Sequence, residues 1–496
     1  MKLLMPLNSL ILICAAATTL GRHHEESSPS ILKLDSRLEL FVDDYLVDSM
    51  EGLVLKLHSP RSAGKVLELN KPWEGVTSGS TAVVFQDGDH YRMYYRGSSH
   101  AGYALESLLE PGEVIIPEHT HVTCYAQSED GVHWTRPNLG LFEFEGSKEN
   151  NIVWMGRGSG AFLIFKDTNP AATDQERYKA VAPGQWKNDR NALFAFTSPD
   201  GFHWKQMREQ PILTDGAFDS PNLAFWDTVN NHYVAVYRDF INRVRTIKIA
   251  TSTDFRKWTR GQWGEFGEAP LEHLYTNATR PYFRAPHIYF AFPRRFHPWK
   301  TLGPFNQAHA GGCSDVIFMS SRDTLHWNRR LEAFIRPGRD VRNWSHRSNT
   351  PAWGLLATAP DEISLFIQRH YTFPSNYMER MVIRTDGFMS VHAGYPGGEM
   401  ITKPLTFKGA NLVLNFATSA AGSIHLEIQD AEGKPLPGFA LEESPIIWGD
   451  EIEHTVFWRR SHPRATSDIP LRDLAGKPVR LRFILKDADL YSLRFR

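Results

Sequence analysis

The feature that most constrains the fold is a short motif that recurs along the chain. Four copies share Ser, Asp and Trp at identical offsets: SEDGVHW (residues 128–134), SPDGFHW (198–204), STDFRKW (252–258) and SRDTLHW (321–327). A fifth, decayed copy keeps Asp386 and Gly387. From Asp to Asp the copies recur every 54 to 70 residues, slightly longer than the usual period of a propeller blade. Repeats of this period predict similar units arranged side by side.

The residue types in the motif indicate a structural role. Ser and Asp side chains cap backbone N–H groups in a turn, Gly adopts a positive φ angle, and Trp fills the gap between adjacent sheets. Each copy also follows a strand pattern and precedes a turn toward the next unit. We therefore interpret the repeated Asp residues as structural and exclude them from catalysis.

The strand patterns predict an all-β protein with two parts. Aromatic and β-branched runs bounded by Gly, Asp, Asn and Pro dominate the chain. The sheets of successive repeats are expected to form a ring, which the early strand 38–42 would close by pairing with the sheet of the last repeat. Residues 393–496 show alternating strands without the motif and predict a C-terminal β-sandwich. The five repeats predict a five-bladed β-propeller over residues 30–392, with hairpins at residues 81–95, 161–182, 222–237, 281–292 and 352–368.

The first residues and the composition limit the environment and the partners. Residues 1–21 combine Lys2 with an apolar run and small residues, the pattern of a signal peptide, so the mature protein is expected to be secreted or periplasmic. No later stretch has the apolar length to span a bilayer, so no membrane association is expected. The net charge of -1 gives no reason to expect nucleic acid. We expect Cys124 and Cys313 to be buried thiols, with one disulfide as the alternative.

The strings LFVDDYL, FDSPNLAFWD, RAPHIYFAFP and SDVIFMSSRD, together with this two-part plan, resemble a known superfamily. It is the five-bladed β-propeller glycoside hydrolase superfamily, which includes families 32, 43, 117 and 130, and the chain resembles an uncharacterised bacterial branch of it. The chain lacks the WMNDPNG and RDP pattern of family 32. The resemblance implies a cleft at the propeller axis with acids from different blades, but it does not assign those acids residue by residue.

Three carboxylates are the candidate catalytic residues, because glycoside hydrolysis uses one group to protonate the leaving oxygen and one to activate water or attack. Asp219 directly precedes an apolar inner strand, and its alternative role is a turn cap. Asp239 follows the next strand and is a base, a pKa modulator or an arginine partner. Glu74 precedes the first inner strand beside Trp73, where Trp73 is expected to stack on a sugar and Glu74 to donate a proton. The alternative for Glu74 is a solvent-facing loop residue.

Basic residues follow the second strand of several hairpins and predict a ring of cations around one mouth of the propeller. Arg96 and Arg238 are the substrate-binding candidates among them, because Arg binds carboxylate and sulfate groups in a bidentate way. Arg284 and His287 are placed at the start of the fourth inner strand, although a core hydrogen bond is the alternative for a lone His. Asp315 is a further binding candidate, with turn capping as its alternative.

Two histidines raise the question of a metal. His119 and His121 are spaced by two and share one face of a strand, but no third ligand is evident, so no metal is predicted. No nucleotide or phosphate-binding fingerprint occurs, so no cofactor is predicted.

These observations lead to one main functional hypothesis and two alternatives. The main hypothesis is a secreted glycoside hydrolase that removes a terminal sugar from a poly- or oligosaccharide, including acidic or sulfated glycans, with Glu74, Asp219 and Asp239 supplying the acid and base. The first alternative is a non-catalytic carbohydrate-binding propeller, since propellers serve many functions. The second is a phosphorylase or transferase. The sugar, the linkage, the stereochemical outcome and the oligomeric state stay open.

Overall fold

The computed structural model describes residues 31–187, 190–305, 311–458 and 471–496. The predicted signal peptide lies outside these residues. Strands make up the regular structure, and no helix in the described ranges is long and apolar enough to cross a membrane. The helices are short 3-10 turns at Ala101–Tyr103, Glu106–Leu108, Ser159–Ala161, Asp174–Glu176, Gly303–Phe305, Val341–Trp344, Leu441–Glu443 and Leu471–Leu474.

Five antiparallel sheets form the blades of a propeller, as predicted, and each is listed here from the innermost strand outward. Blade 1 contains Ala82–Asp87, His90–Ser99, His119–Ser128 and Ile152–Trp154. Blade 2 contains Leu163–Lys166, Tyr178–Gln185, Asn191–Ser198 and Lys205–Gln206. Blade 3 contains Leu223–Asp227, His232–Ile241, Val244–Ser252 and Gln262–Trp263.

Blades 4 and 5 have inner strands that are broken into two pieces. Blade 4 contains His273–Thr276 and Arg280–Tyr282 as its inner strand, followed by Ala285–Ala291, Arg294–His297, Cys313–Ser321 and Trp327–Ile335. Blade 5 contains Thr350–Pro351 and Leu356–Ala359 as its inner strand, followed by Glu362–Arg369, Tyr377–Arg384 and Arg61–Glu68.

The repeated motif forms the capped turn that its residue types predict. In blade 1, Asp130 Oδ1 accepts the backbone N–H groups of Val132 and His133 at 2.8 Å each, and Gly131 N–H donates to Ser128 Oγ at 2.9 Å. The hydrogen bond from His133 is the largest cause that lowers the pKa of the Asp130 carboxyl. The corresponding Asp residues of blades 2, 3 and 4 accept the same pair of N–H groups.

The ring closes differently from the prediction. We expected residues 38–42 to pair with the last blade, but Glu39–Leu40 pairs with Val479–Phe495 outside the propeller. The strand that closes the ring is Arg61–Glu68, which lies antiparallel to Tyr377–Arg384 as the outermost strand of blade 5. The chain therefore begins its contribution to the propeller about twenty residues later than the closing strand we predicted.

The second part of the molecule is one ten-stranded sheet that includes both ends of the described chain. Its long strands Leu412–Asp430 and Val479–Phe495 pair along most of their length, with an irregularity between Thr418 and Ser423. The remaining strands are Leu32–Asp35, Glu39–Leu40, Val47–Glu51, Leu53–Leu57, Met389–Ala393, Gly398–Thr402, Leu405–Phe407 and Asp450–Thr455. The strands up to Leu57, which the sequence pattern assigned to the propeller, thus belong to this sheet, and one apolar core fills it.

The propeller axis is packed in its middle and open at its ends. Trp353 is buried there, its indole Nε1–H donates to Thr279 O at 2.7 Å, and it lines both a narrow gap on one side and a larger cavity on the other. The gap lies where the inner strands begin and the cavity where they end. Cys124 and Cys313 are buried free thiols, as expected.

Candidate functional site

The candidate site lies at the end of the propeller where the inner strands begin, which we call the mouth. The narrow axial gap at this end is lined by residues such as Thr81, Leu223, Thr276 and Thr350. The second strand of a blade runs antiparallel to the inner strand, so it ends at the mouth. Basic residues near these strand ends therefore point toward one shared region.

Tyr275 is surrounded by arginines from two blades. The guanidinium carbon of Arg294 lies 4.2 Å from the centroid of the Tyr275 ring, and the corresponding distances for Arg245 and Arg238 are 4.5 Å and 5.5 Å. Cations stack on tyrosine faces at such distances because the ring face carries negative charge. Tyr275 lies in the first piece of the inner strand of blade 4, one residue before that piece ends at Thr276.

Two more arginines extend this group toward blades 5 and 1. The Nη1–H groups of Arg294 donate to Arg347 O at 2.8 Å and to Thr350 Oγ1 at 2.5 Å. Arg96 donates to the hydroxyl of Tyr371 at 3.3 Å, and Arg347 interacts with the same hydroxyl. The arginine cluster is defined here as Arg96, Arg238, Arg245, Arg294 and Arg347.

The arginine cluster has more positive charge than its neighbours neutralise. Arg238 and Arg294 are 3% and 2% exposed. The buried Nε atoms of Arg238, Arg245, Arg294 and Arg347 have no hydrogen-bond partner among the described residues. Within the same residues, Asp219 is the one carboxylate that forms an ion pair with the cluster, through Arg238. Burial lowers the pKa of Arg294 to about 9, which still leaves its guanidinium charged at neutral pH.

The charges of the cluster change the acidity of Tyr275. Burial acts to raise the pKa of the Tyr275 hydroxyl, but nearby positive charges outweigh burial and lower that pKa below its ordinary value. These charges belong to Arg347, Arg294, Arg245 and Arg238. The Tyr275 phenolate, which is a nucleophile and a base, therefore forms at a lower pH than the phenolate of a free tyrosine.

The structure places Asp219 at the mouth, directly before the inner strand of blade 3. Its side chain is 62% exposed and contacts Arg238. Asn222 rather than Asp219 makes the local turn contacts, since its amide donates to Phe218 O and Ser220 O. A carboxylate that is exposed on one side and held by an arginine on the other can exchange a proton with a ligand.

Glu74 does not lie with Asp219, which corrects the prediction of a shared carboxylate site. Glu74 is fully buried, and its two oxygens accept hydrogen bonds from Tyr95, Arg136 and Lys71 N. Burial is the main cause that raises the pKa of Glu74. Glu74 has no exposed surface and its hydrogen bonds join Lys71, Tyr95 and Arg136, so Glu74 is part of the packing of blade 1 and its loops.

Trp73 is likewise engaged inside the protein. Its Nε1–H donates to Asn151 Oδ1 at 2.6 Å, and its ring packs edge-on against Phe144. Both contacts lie within the blade 1 segment, and the stacking of Trp73 on a sugar stays a prediction.

Asp239 lies on the opposite face of the blade from Arg238 because neighbouring side chains on a strand alternate in direction. Arg238 points to the arginine cluster, whereas Asp239 accepts a hydrogen bond from Lys248 Nζ at 3.1 Å. Lys248 also contacts Asp215, whose carboxylate accepts the hydroxyl of Tyr237. Asp239 is thus an ion-pair partner of Lys248 rather than a partner of Arg238.

Arg284 and His287 lie at the opposite end of the propeller, which corrects their predicted position. The inner strand of blade 4 ends at Tyr282, so residues 283 and 284 form the turn that follows it. Arg284 Nε donates to Asp386 Oδ1 at 2.9 Å, and His287 Nε2 lies 3.1 Å from Glu39 Oε1. Both side chains join the propeller to neighbouring segments.

Asp315 and the histidines also have protein partners. Arg295 donates to both oxygens of Asp315, at 2.9 and 2.7 Å, so Asp315 is an arginine partner rather than a turn cap. His119 Nε2 lies 2.7 Å from Glu74 O, and His121 Nε2 lies 3.1 Å from His100 Nε2. In the described ranges no group of three or more His, Cys, Asp or Glu side chains is arranged to hold a metal ion.

Sequence reasoning found part of the cluster and missed its centre. Arg96 and Arg238 were predicted from their positions after second strands, and both belong to the arginine cluster. Tyr275, Arg245 and Arg347 were missed because they come from three different segments that only the ring brings together. The sequence signal for Tyr275 is the run YTNATRPY, which places it near the beginning of the fourth inner strand, much as Asp219 lies near the beginning of the third.

Comparisons with known proteins give distant matches. No family model matches the chain. A curated relative, the uncharacterised protein Rv1502 of Mycobacterium tuberculosis, is 28% identical over 156 residues, which cover 31% of this chain and 40% of the relative. The chain thus matches less than half of that relative.

Several solved structures resemble the propeller part of the chain. One is described as a glycoside hydrolase, with 13% identity and a TM-score of 0.44 over 66% of this chain and 92% of that one. A thermostable family-43 glycoside hydrolase gives 12% identity and a TM-score of 0.39 over 64% and 95%. A β-1,2-mannobiose phosphorylase from Listeria innocua gives 11% identity and a TM-score of 0.41 over 65% and 95%.

Proposed function

We propose that this protein is a glycoside hydrolase that holds the acidic group of a sugar in the arginine cluster and cleaves the glycosidic bond beside it. The observation that carries this proposal is the arginine cluster, in which the guanidinium groups of Arg238, Arg245 and Arg294 lie against the Tyr275 ring and one carboxylate, Asp219, is the ion-pair partner in the described part of the chain. A buried cation without a counter-charge costs free energy, and an anionic ligand removes that cost.

The geometry favours a carboxylate or sulfate group as the part of the sugar that is recognised. Arg294 and Arg238 are held in place by their burial, and their Nε–H groups have no hydrogen-bond partner among the described residues. A guanidinium binds a planar carboxylate or a sulfate through two parallel hydrogen bonds, and such charge-assisted bonds are stronger than neutral ones. The substrate class is therefore a glycan with uronic acid or sulfated sugars at its end.

Tyr275 is proposed as the nucleophile in place of a second carboxylate. Glycosidases with a tyrosine nucleophile are an established exception to the rule of two carboxylates. In the first step the oxygen of Tyr275, present as the phenolate, bonds to the anomeric carbon, the bond from that carbon to the leaving oxygen breaks, and protonated Asp219 gives its proton to the leaving oxygen. In the second step Asp219 takes a proton from water, the water oxygen bonds to the anomeric carbon, and Tyr275 leaves as a phenolate.

The ion pair of Asp219 with Arg238 couples this chemistry to binding. An acidic group that occupies the arginine cluster competes with Asp219 for Arg238. The additional negative charge beside Asp219 also favours its protonated form, which is the form that can act as an acid. Substrate binding would thus prepare Asp219 for the first step.

Inorganic phosphate is the second anion that the cluster would hold, which makes phosphorolysis the second candidate function. One of the structures to which the propeller is similar is described as a β-1,2-mannobiose phosphorylase. In that case phosphate in the arginine cluster would replace water in the cleavage. Export of the mature protein, with residues 1–21 as signal peptide, is part of the same proposal.

The test is an activity screen against matched glycans, with and without phosphate. We expect turnover of uronic or sulfated oligosaccharides, none of their neutral counterparts, and no dependence on phosphate. Asp219→Asn should lower kcat by about 100-fold or more, whereas Asp239→Asn, in the same hairpin, should leave the specificity for acidic glycans unchanged. Absence of turnover across the panel, or preference for neutral glycans, contradicts the proposal, and strict phosphate dependence replaces hydrolysis with phosphorolysis.

A further inference from the structure

A second cavity lies at the opposite end of the propeller, where the inner strands end. Its volume is about 440 Å³, which falls in the range of small-molecule sites. All five blades contribute to its wall, which is mainly apolar and aromatic. The residues that matter here are Phe165, Phe225, Trp226, Phe283, Trp353 and Leu355. Trp353 also borders the axial gap at the mouth, so it separates the two ends of the axis.

Arg280 is the charged residue in this wall that has no counter-charge. Its guanidinium forms no hydrogen bond or ion pair with the described residues, and its Nε atom is buried without a partner. Burial lowers the pKa of Arg280 to about 10, which leaves it charged at neutral pH. Lys166, the other cation of the wall, is neutralised by Asp87 at 2.6 Å.

The contrast with Arg284 shows that the chain can neutralise an arginine in this part of blade 4. Arg284, four residues further along, pairs with Asp386 and Glu453. Arg280 instead faces a cavity that is large enough for a ligand. An apolar cavity with one unpaired guanidinium is complementary to a molecule that has one anionic group on an apolar body.

We propose that this cavity binds a small molecule with a single carboxylate on a flat apolar body, such as an aromatic acid. The carboxylate would accept two hydrogen bonds from Arg280, and the body would lie against Trp226, Phe225 and Phe283. This site is separate from the arginine cluster, so it does not depend on the proposed hydrolysis.

The test uses the full chain and three matched naphthalene probes: 2-naphthoate, the neutral 2-naphthamide and 2-naphthyl phosphate. Binding is measured by calorimetry and by the change in the total tryptophan fluorescence, to which Trp226 and Trp353 in the cavity wall contribute. We expect 2-naphthoate to bind with one-to-one stoichiometry and at least about tenfold more tightly than the amide. Equal binding of acid and amide, no binding of the acid, or tighter binding of the phosphate overturns the proposal.

Three variants locate the binding in the cavity. Arg280→Met should weaken 2-naphthoate binding by about tenfold or more without lowering Tm, because it removes an unpaired buried charge. Phe283→Ala, at a residue that is 40% exposed, should weaken binding severalfold. Lys166→Met is the matched control and should change binding less than about threefold, since Lys166 is already paired. Unchanged binding in both Arg280→Met and Phe283→Ala overturns the assignment.

Discussion

Two regions of the propeller bury charged side chains, and they treat them in opposite ways. Glu74 is fully buried, and Arg136, Tyr95 and a backbone N–H satisfy its oxygens. Arg294 at the mouth is 2% exposed, yet its Nε lacks a partner and no described carboxylate pairs with it. A buried charge whose hydrogen-bond and ion-pair partners are all present has a structural role, whereas a buried charge without them indicates a ligand site.

The largest effect is expected from a variant that removes the reactive group at the mouth and leaves the stability of the fold unchanged. Tyr275→Phe removes the proposed nucleophile and keeps the ring that stacks on the arginines. We expect kcat on an acidic glycan to fall by about 1,000-fold, while Tm stays within a few degrees of the wild type. Near-normal kcat in this variant would show that Tyr275 only positions the arginines.

The second largest effect is expected at Glu74, the buried carboxylate whose hydrogen bonds are all satisfied. Glu74→Ala leaves Arg136 and Tyr95 without their carboxylate in a buried place. We expect the free energy of unfolding to fall by about 3 kcal/mol, with kcat and KM of the folded protein unchanged. Urea unfolding measures the first quantity and steady-state kinetics the second. Loss of kcat without loss of stability would restore Glu74 as a catalytic candidate.

A third change sharpens the role of the cluster in binding. Arg347→Met removes one cation that is close to other cations, so the folded protein should be as stable as the wild type or more stable. We expect KM for an acidic glycan to rise by about tenfold or more, which corresponds to the loss of one charged hydrogen bond. A large drop in Tm with unchanged KM would instead mark Arg347 as structural.

The pH dependence follows from the lowered pKa of Tyr275. Because the cluster lowers this pKa, the reactive phenolate forms at a lower pH than in a free tyrosine, and kcat should rise with pH below the ordinary tyrosine range. The lowered pKa of Tyr275 also contributes to the free energy of unfolding. This contribution is complete above the pKa of tyrosine in the unfolded chain and is lost as pH falls through the pKa of Tyr275 in the folded protein. The Tyr275→Phe variant should show neither trend, and a trend that persists in it must come from another group.

The smallest effect concerns the repeated turns, whose Asp residues pair with neither Glu74 nor the arginine cluster. Asp254 caps the turn of blade 3 by accepting the N–H groups of Arg256 and Lys257. Asp254→Ala should lower the free energy of unfolding by about 1 kcal/mol, as loss of a backbone cap does elsewhere. Activity should not change. An effect of this turn on kcat would contradict the structural role assigned to the repeat.

Local features of the sequence were sufficient to predict the blades. The motif around Asp130 and Asp200 forms its turn within a few residues, so its role is readable without knowing the fold. Ring closure depends on pairing between residues more than 300 positions apart, such as Met378 with Leu67, and no local pattern reports such a pair. Residues 38–42 have the same alternating pattern as any half-buried strand, which is why they were assigned to the wrong sheet.

A residue of the candidate site could be predicted from the sequence where its position along a single strand determines at which end of the propeller it lies. Arg238 and Asp219 flank one hairpin, and their place at the mouth follows from the strand directions. Arg284 was misplaced because the inner strand of blade 4 is interrupted after Thr276, so the strand begins earlier than its apolar run suggests. Tyr275 and Arg347 could not be joined from the sequence, since they belong to different blades.

We propose above all that the arginine cluster recognises the acidic group of the substrate. The most direct measurement is a calorimetric titration of inactive Tyr275→Phe with one oligosaccharide in its acidic and its neutral form, for example before and after removal of its sulfate. We predict that the acidic form binds at least about tenfold more tightly, and that adding Arg347→Met removes most of this difference. Equal affinity for the two forms would contradict the claim.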